Sequence, residues 1–358
     1  MSFQIRLAGD QDGEALAAFF RRLLIPARVP IAVSRGDDCF ALARLRGGES
    51  YWLLAVDDDG CIVGALELAV LPVATAAGTL PMAYAAFAGV APDRRRQGIL
   101  RALVAEVEPL SRARGSRIGA LLHNKNNRAI ENMMTKYESR ALDAMPITVA
   151  ILPANRLVEP SRDYRYEPAR PEDLPAAEHL LQRRYGHYTL APAEPLSSLL
   201  ARLQLPDEAC WVARTPGGEV AAFIAIWDQQ AIRPIALGRL PLLERCGRAA
   251  LNLVAPALGL LPLPGMGGTL RLVFSLAPAA NDARALGGLL RAVLRHLSGR
   301  YHGMLLALPQ NDELWSALNP WWSVHSINHP LLVAGDEETS RLLRAQNPPV
   351  LHMEYGLV

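Results

Sequence analysis

Apolar and polar positions recur along the chain in an order that predicts strands and helices in turn. Phe3-Gln4-Ile5-Arg6-Leu7 predicts a strand over 3–8, and Asp10-Gln11-Asp12 opens a helix over about 12–23. An irregular stretch with Pro26, Arg28, Pro30, Arg35, Arg44 and Arg46 reaches about residue 49. Strands follow at Tyr51–Val56 and Cys61–Leu71, joined by Asp57-Asp58-Asp59-Gly60, a hairpin signal. A strand at about 82–90 leads into a helix over about 97–114. In that helix Ile99, Leu103, Val107 and Leu110 form one apolar stripe, and Gly115 is the stop. A strand at Arg117–Leu122, a helix at about 127–138 and a strand at Thr148–Leu152 close this half.

Pro153–Asp163 (PANRLVEPSRD) reads as a linker. Much the same order then returns. Tyr164–Pro168 predicts a strand, and Pro171-Glu172-Asp173 starts a helix to about Tyr185. Cys210–Arg214 and Val220–Trp227 form a second hairpin about Pro216-Gly217-Gly218. Strands at Leu270–Leu276 and Tyr301–Leu308 flank a helix over 282–298. A short helix at 312–318 and a strand at Val324–Val333 complete the copy. The repeat lies in element order rather than residue identity, and two copies of one α/β unit account for 358 residues.

Composition changes this picture little. The net charge of +2 argues against wholesale binding to nucleic acid or membrane. Cys39, Cys61, Cys210 and Cys246 are scattered without a CxxC spacing, which fits a reducing cytoplasm better than a disulfide framework or a zinc ribbon. His325 and His329 lack a matching third ligand, so no metal is expected. The opening residues do not read as a secretory signal. Ala249–Gly268 is the most membrane-like stretch, but Pro256, Pro262 and Pro264 would break a spanning helix. It is read as a buried or half-buried segment.

The chemistry concentrates at Val90–Leu103 (VAPDRRRQGILRAL). Pro92 withholds a ladder donor and ends the strand, leaving neighbouring backbone groups free for an extended ligand. A helix N-terminus offers unpaired N–H groups and the positive end of a dipole, which favours an anion. Gly98 has no Cβ to keep a ligand away, and the arginines add donors suited to phosphate. The residues read as a diphosphate site with a peptide-like arm running back along the strand. No aromatic residues interleave with Arg94–Arg96, which argues against a nucleic-acid module.

Residues 82–115 resemble motif A of the GNAT superfamily of N-acetyltransferases, whose Q/R-x-x-G-x-G/A follows a Val-x-Pro turn. The chain supplies Arg95-x-x-Gly98-x-Leu100, with Leu100 where the family has a small residue. Gly98-Ile99-Leu100-Arg101 resembles the form found in the enhanced-intracellular-survival type. The resemblance implies an α/β fold of two tandem GNAT-like domains, each with a mixed, mostly antiparallel central sheet flanked by helices. The expected division is 1–153 for a catalytic acyl-CoA domain, 154–163 for a linker and 164–358 for a degenerate copy.

By the same resemblance the co-substrate is acetyl-CoA or another acyl-CoA. The amides of Arg95, Arg96, Gln97, Gly98, Ile99 and Leu100 would cradle its pyrophosphate, with Arg101 beside them. The Val90 N–H would face the thioester oxygen, where it would stabilise charge in the transition state. Asn127 resembles the family's cofactor-contacting Asn. Amine attack also needs a base and an acid. The strand Met82–Ala88 carries no carboxylate, and Tyr84 is its one ionisable side chain. Glu67 on the preceding strand (ALELAV) is a candidate base through a water, and His123 is another. The family's acidic Tyr position here holds Met133, and Tyr137, one helical turn on, takes the role instead. In the survival-type enzymes the terminal carboxylate enters the active site, and Leu351–Val358 would be a final strand delivering Val358.

In the second copy the equivalent turn, Leu276–Arg284, lacks Arg-x-x-Gly. Asn281 or Asp282 would cap the following helix, so this copy is not expected to bind CoA. It is expected to complete a substrate cleft or an oligomer interface, which leaves a homo-oligomer open. The reading is a cytoplasmic N-acyltransferase that moves an acetyl or other acyl group to an amine of a small molecule or peptide in a ternary complex. The rival is a non-catalytic acyl-CoA-binding sensor or assembly subunit.

Overall fold

The computed structural model describes residues 2–23, 31–33, 36–124, 141–318 and 324–357. In chain order the described strands begin with β1 (Phe3–Leu7), β2 (Ile31–Val33), β3 (Glu49–Asp57), β4 (Ile62–Thr75), β5 (Gly78–Val90), β6 (Ile118–Asn124), β7 (Ala141–Asp143) and β8 (Ile147–Pro153). They continue with β9 (Arg165–Pro168), β10 (Ala191–Pro192), β11 (Cys210–Arg214), β12 (Val220–Asp228), β13 (Ile235–Leu237), β14 (Thr269–Leu270), β15 (Leu272–Ala280), β16 (Gly303–Pro309) and β17 (Val324–Ala334). The described α-helices are α1 (Gly13–Arg21), α2 (Ala41–Arg46), α3 (Ile99–Ala113), α4 (Leu174–Tyr185), α5 (Leu196–Leu203), α6 (Leu242–Val254), α7 (Ala283–Leu297) and α8 (Glu337–Leu343).

One sheet runs through the molecule in the order β1-β3-β4-β5-β6-β17-β8-β16-β15-β12-β11-β9. Two pairs on this path are parallel, β5 with β6 and β15 with β16. Each is joined by a crossover helix, α3 or α7, because parallel neighbours need a long connection. The rest of the path is antiparallel, so the mixed, mostly antiparallel sheet flanked by helices that the resemblance implies is the one observed. The β4–β5 hairpin reaches further than its hydrophobic pattern predicts. Pro72 and Pro81 face each other, so both missing donors fall at one level of the ladder.

At the middle of the sheet the last strands are exchanged. β17, from the end of the second half, lies between β6 and β8. β8, from the end of the first half, pairs with β16 along its whole length. The two halves of the chain therefore share one ladder.

In both halves of the chain the crossover helix covers one face and the early helices cover the other. α3 packs its Ile99 and Leu103 on Leu53, Ala55, Leu66 and Ala83. α1 packs Leu16, Phe19 and Phe20 on Trp52, Leu54 and Ala65 across the sheet. In the second half α7 lies on Ala222, Ile224, Val273 and Met304, while α4 and α5 lie on Val212, Phe223, Ala225 and Leu276.

Two expectations need correction. Ala249–Gly268 is buried or half-buried only in part: Ala255 is buried and Leu251 and Leu260 are half-buried, but Leu253, in α6, is 84% exposed and Met266 further on is 47% exposed. Residues 351–357 do not form a strand. Leu351 makes a single bridge to Leu190, and Tyr355–Leu357 is one turn of helix. Among the described residues no helix is long and apolar enough to cross a membrane, and no group of three His, Cys, Asp or Glu side chains is arranged to hold a metal.

Candidate functional site

The turn after β5 is built by its own sequence. The Ala91 amide still donates to the Val63 carbonyl at 3.0 Å, and then Pro92–Arg94 turns the chain away. Arg94 belongs to the scaffold: its guanidinium lies 3.0 Å from Asp57 at the β3–β4 turn. Arg96 and Gly98 both take positive φ, 64° and 81°. Gly98 makes this easy because it lacks a Cβ, and a Cβ built there would meet nothing within 4 Å. Arg95, Arg96, Gln97, Gly98 and Arg101 are exposed, Leu100 is half-buried, and the Ile99 side chain is in the core.

The N-terminus of α3 carries no side-chain cap. Its first intrahelical bond of the α type runs from the Ala102 amide to the Gly98 carbonyl, so the amides just before Ala102 have no partner within the helix. The helix start is held close to the sheet by Gly64. A Cβ on Gly64 would come within 2.5 Å of the Ile99 Cγ2. Sequence reasoning passed over Gly64, although a glycine inside a strand pattern is itself a signal of close approach.

Strand β5 is paired with β6 only over Met82–Ala85. Beyond Ala85 the two diverge, and β5 carries a bulge at Phe87, whose φ is 46°. Val90 faces Gly64, and the bond from Ala91 to Val63 makes that a non-hydrogen-bonded pair. Alternation along the ladder then turns the Val90 N–H away from β4, toward the gap left by β6.

The described candidates for proton transfer divide between the two faces. Glu67 lies opposite Ala86, and Tyr84 opposite Ala69, so both project from the face covered by α1. His123, two residues past Leu121 in β6, alternates onto the α3 face, and its ring lies 5.9 Å from the ring of His329. Glu67 is fully buried and bonded by both oxygens to Arg46 of α2, at 2.5 and 3.2 Å. It is an ion-pair partner and not a carboxylate open to water. Arg46 also donates through Nε to the Leu357 carbonyl. Tyr84 is packed in the core with Met82, Ala120 and Leu332. Asn127, Tyr137 and Val358 lie outside the described residues.

In the second half of the chain a like crossover, β15-α7-β16, has different contents. β15 bulges at Ala277, with φ 50°, and leaves β16 after Phe274. There the amide of Ala277 donates to Glu354 at 2.9 Å. The Tyr185 hydroxyl donates to the same carboxylate at 3.2 Å, and the His352 Nε2 lies 3.2 Å from it. Burial alone would raise the Glu354 carboxyl, but His352, the Ala277 amide and Tyr185 together hold it below the usual carboxylate range. Burial, and then Glu354, push the Tyr185 phenol well above its usual range. The start of α7 is capped as expected: Asp282 accepts from the Ala285 amide at 2.8 Å. Neither Glu354 nor Arg46 was read from the sequence as part of a site.

Residues 18–134 match the model of the acetyltransferase (GNAT) family. That stretch holds the turn, the start of α3 and the β5–β6 gap. No curated protein sequence matches the chain. Among solved structures, the chain is similar to the N-myristoyltransferase of Saccharomyces cerevisiae with bound myristoyl-CoA. The TM-score is 0.62 at 10% identity, over 93% of this chain and 82% of that one. A GCN5-related glucosamine N-acetyltransferase region of a fungal multi-domain β-N-acetylglucosaminidase gives 0.60 at 12% identity, over 92% of this chain and 38% of that one. A GCN5-related N-acetyltransferase from Anabaena variabilis gives 0.51 at 12% identity, over 94% and 73%. At these identities the likeness is one of fold.

A cavity of about 210 Å³ lies on the Glu67 face, toward the Met82 end of β5. Strand residues Leu71 and Met82 and helix residues Leu181 and Leu199 line it, with Arg46 and Glu354 among its polar groups. Both halves of the chain and the C-terminal segment contribute to its wall.

Proposed function

We propose that the first copy binds an acyl-CoA and transfers its acetyl or other acyl group to an amine of a small molecule or peptide. The observation that carries this is the uncapped, exposed start of α3 beside a strand whose partner has diverged. Free N–H groups, the helix dipole and Arg95 with Arg96 suit a pyrophosphate. The open space in front of Gly98 is the room such a group needs. The gap beyond Ala85 suits the pantetheine arm, with the Val90 N–H available to the thioester oxygen. The family match over residues 18–134 supports the same ligand.

In the reaction the amine nitrogen attacks the thioester carbonyl carbon. The C–N bond forms, the C–S bond breaks, and the thiolate leaves with a proton once the ammonium has lost its own. The Val90 N–H stabilises the oxyanion between these steps. Within this reading residues 1–153 form the catalytic unit, 154–163 the linker and 164–358 a copy that holds no CoA. There Asp282 caps the helix start, and Glu354 takes the amide of the bulge residue Ala277, the counterpart of Phe87. The cavity beside Arg46 is proposed to receive an apolar part of the acceptor.

Calorimetric titration with acetyl-CoA and with CoA tests the reading. One equivalent is expected to bind per chain. Arg95→Ala should weaken binding by about tenfold, as expected for a lost charge-assisted bond. Gly98→Glu should weaken it more, because bulk and negative charge would stand where the diphosphate sits. No binding by the wild type, or unchanged binding in both variants, would overturn the proposal.

The non-catalytic sensor is favoured by one observation: Glu67 is committed to Arg46. A thiol-release assay across a broad panel of amines separates the two readings. Tight CoA binding without turnover on any amine would decide for the sensor.

A further inference from the structure

The cavity enclosed by β4, β5, α4 and α5 is furnished one-sidedly. Val73, Met82, Leu181, Leu196 and Leu199 give it apolar walls. Among the described residues, its carboxylates are Glu178, Glu194 and Glu354, against the single guanidinium of Arg46. That guanidinium is spent, because it bonds twice to Glu67 and once to the Leu357 carbonyl. Glu194 is matched by Arg202, whose Nε lies 3.1 Å away. Glu178 bonds to neutral groups: the Gln182 amide at 3.3 Å and the Leu196 N–H, at the start of α5, at 2.6 Å. Glu354 accepts from the Ala277 amide and the Tyr185 hydroxyl and lies beside His352, which together hold it ionised.

A carboxylate has room for about four hydrogen bonds. Glu178 receives two, and Glu354 has three partners. The side-chain donors on the wall, Arg46, Tyr185 and the His352 Nε2, are directed at groups of the chain itself. The wall therefore presents negative charge and open acceptor positions within an apolar space.

We propose that this cavity binds an apolar amine in its ammonium form, a molecule with one ring or a short aliphatic chain and no acidic group. The ammonium fills the open acceptor positions of Glu178 and Glu354 as a charge-assisted donor. Tyr185, on the same wall, adds an aromatic ring to the cation's surroundings. The apolar body takes the place of water against the leucines. A carboxylate or phosphate on the ligand would instead bring like charge into a site with little solvent to screen it. The size agrees: an apolar cavity of about 150 Å³ holds benzene, so one of about 210 Å³ suits a ring with a short arm.

The cavity also borders the gap between β5 and β6. Arg46, on its wall, meets Glu67, and Glu67 lies opposite Ala86, where β5 has just left β6. The inference deepens the acyl-transfer reading and rests on it only for the ligand's part as acceptor. It narrows the acceptor to apolar amines without a neighbouring acid.

Calorimetric titration of the full chain with 2-phenylethylamine, in the absence of acyl-CoA, tests this. A dissociation constant of about 0.1 mM is expected, within the range open to a ligand of about nine heavy atoms. 2-Phenylethanol should bind about tenfold more weakly, and 3-phenylpropionate should give no measurable heat. Glu178→Gln and Glu354→Gln should each weaken the amine at least fivefold and leave 2-phenylethanol unchanged, which reports an intact cavity. Glu219→Gln, on the exposed turn between β11 and β12, should change neither. No binding of the amine, equal affinity for all three ligands, or an amine affinity indifferent to both glutamines would overturn the proposal. Because acyl-CoA is absent, a failure here is read apart from a failure of acetyl-CoA to bind.

Discussion

Arg46 and Glu67 form an ion pair closed to solvent, because both side chains are fully buried. Removing one partner leaves a buried charge without compensation. Arg46→Ala is expected to destabilise the fold by about 3–5 kcal/mol, and Arg46→Met with Glu67→Leu should recover most of this loss. Chemical denaturation of the three proteins checks both statements. Glu354 makes a prediction in pH. Its folded-state value is held below the usual range, so its stabilisation is present above the unfolded value of about 4.3 and is lost as pH falls through the folded value. The melting temperature should drop below about pH 5 more steeply in the wild type than in Glu354→Gln.

At the scale of elements, the site depends on how closely α3 meets β4. Ile99 sits where a Cβ of residue 64 would be, so Gly64→Ala must push the first turn of α3 outward. A loss of about 1–3 kcal/mol is expected, as for other overpacked contacts, together with weaker acyl-CoA binding. Denaturation and calorimetric titration of the same variant report the two effects. The stripe on α3 and the stripe on α6 look alike in sequence, yet one is buried and the other exposed. Periodicity tells which residues share a face. It does not tell which face meets the core, and in α6 the bonds of Arg248 and Asn252 decide.

For the whole molecule, the exchange of β8 and β17 makes the two halves of the chain one folding unit. Residues 1–153 alone would lack the strand beside β6 and leave β8 without β16. That fragment is expected to lack a cooperative unfolding transition. Co-expression with residues 154–358 should restore both the transition and acyl-CoA binding. The C-terminal segment adds a second tie: Glu354 accepts from the Ala277 amide in the second half, and the Leu357 carbonyl accepts from Arg46 in the first.

Several features were determined by the sequence itself because their causes are local. The hairpin at Asp57–Gly60, the turn at Pro92, the positive φ at Gly98, the stripe of α3 and the cap at Asp282 each follow from residues close in the chain. The order of strands and helices, repeated twice, was legible for the same reason. Tertiary structure alone decided the rest. Arg46 meets Glu67 across 21 residues, and Leu357 meets Arg46 across 311. Glu354 finds the Ala277 amide across 77. The exchanged strands β8 and β17 carry ordinary strand patterns that fit either ladder equally well. Side-chain alternation specifies that a strand pairs, but the partner is chosen by which sheet edges and which buried charges the folded chain brings together.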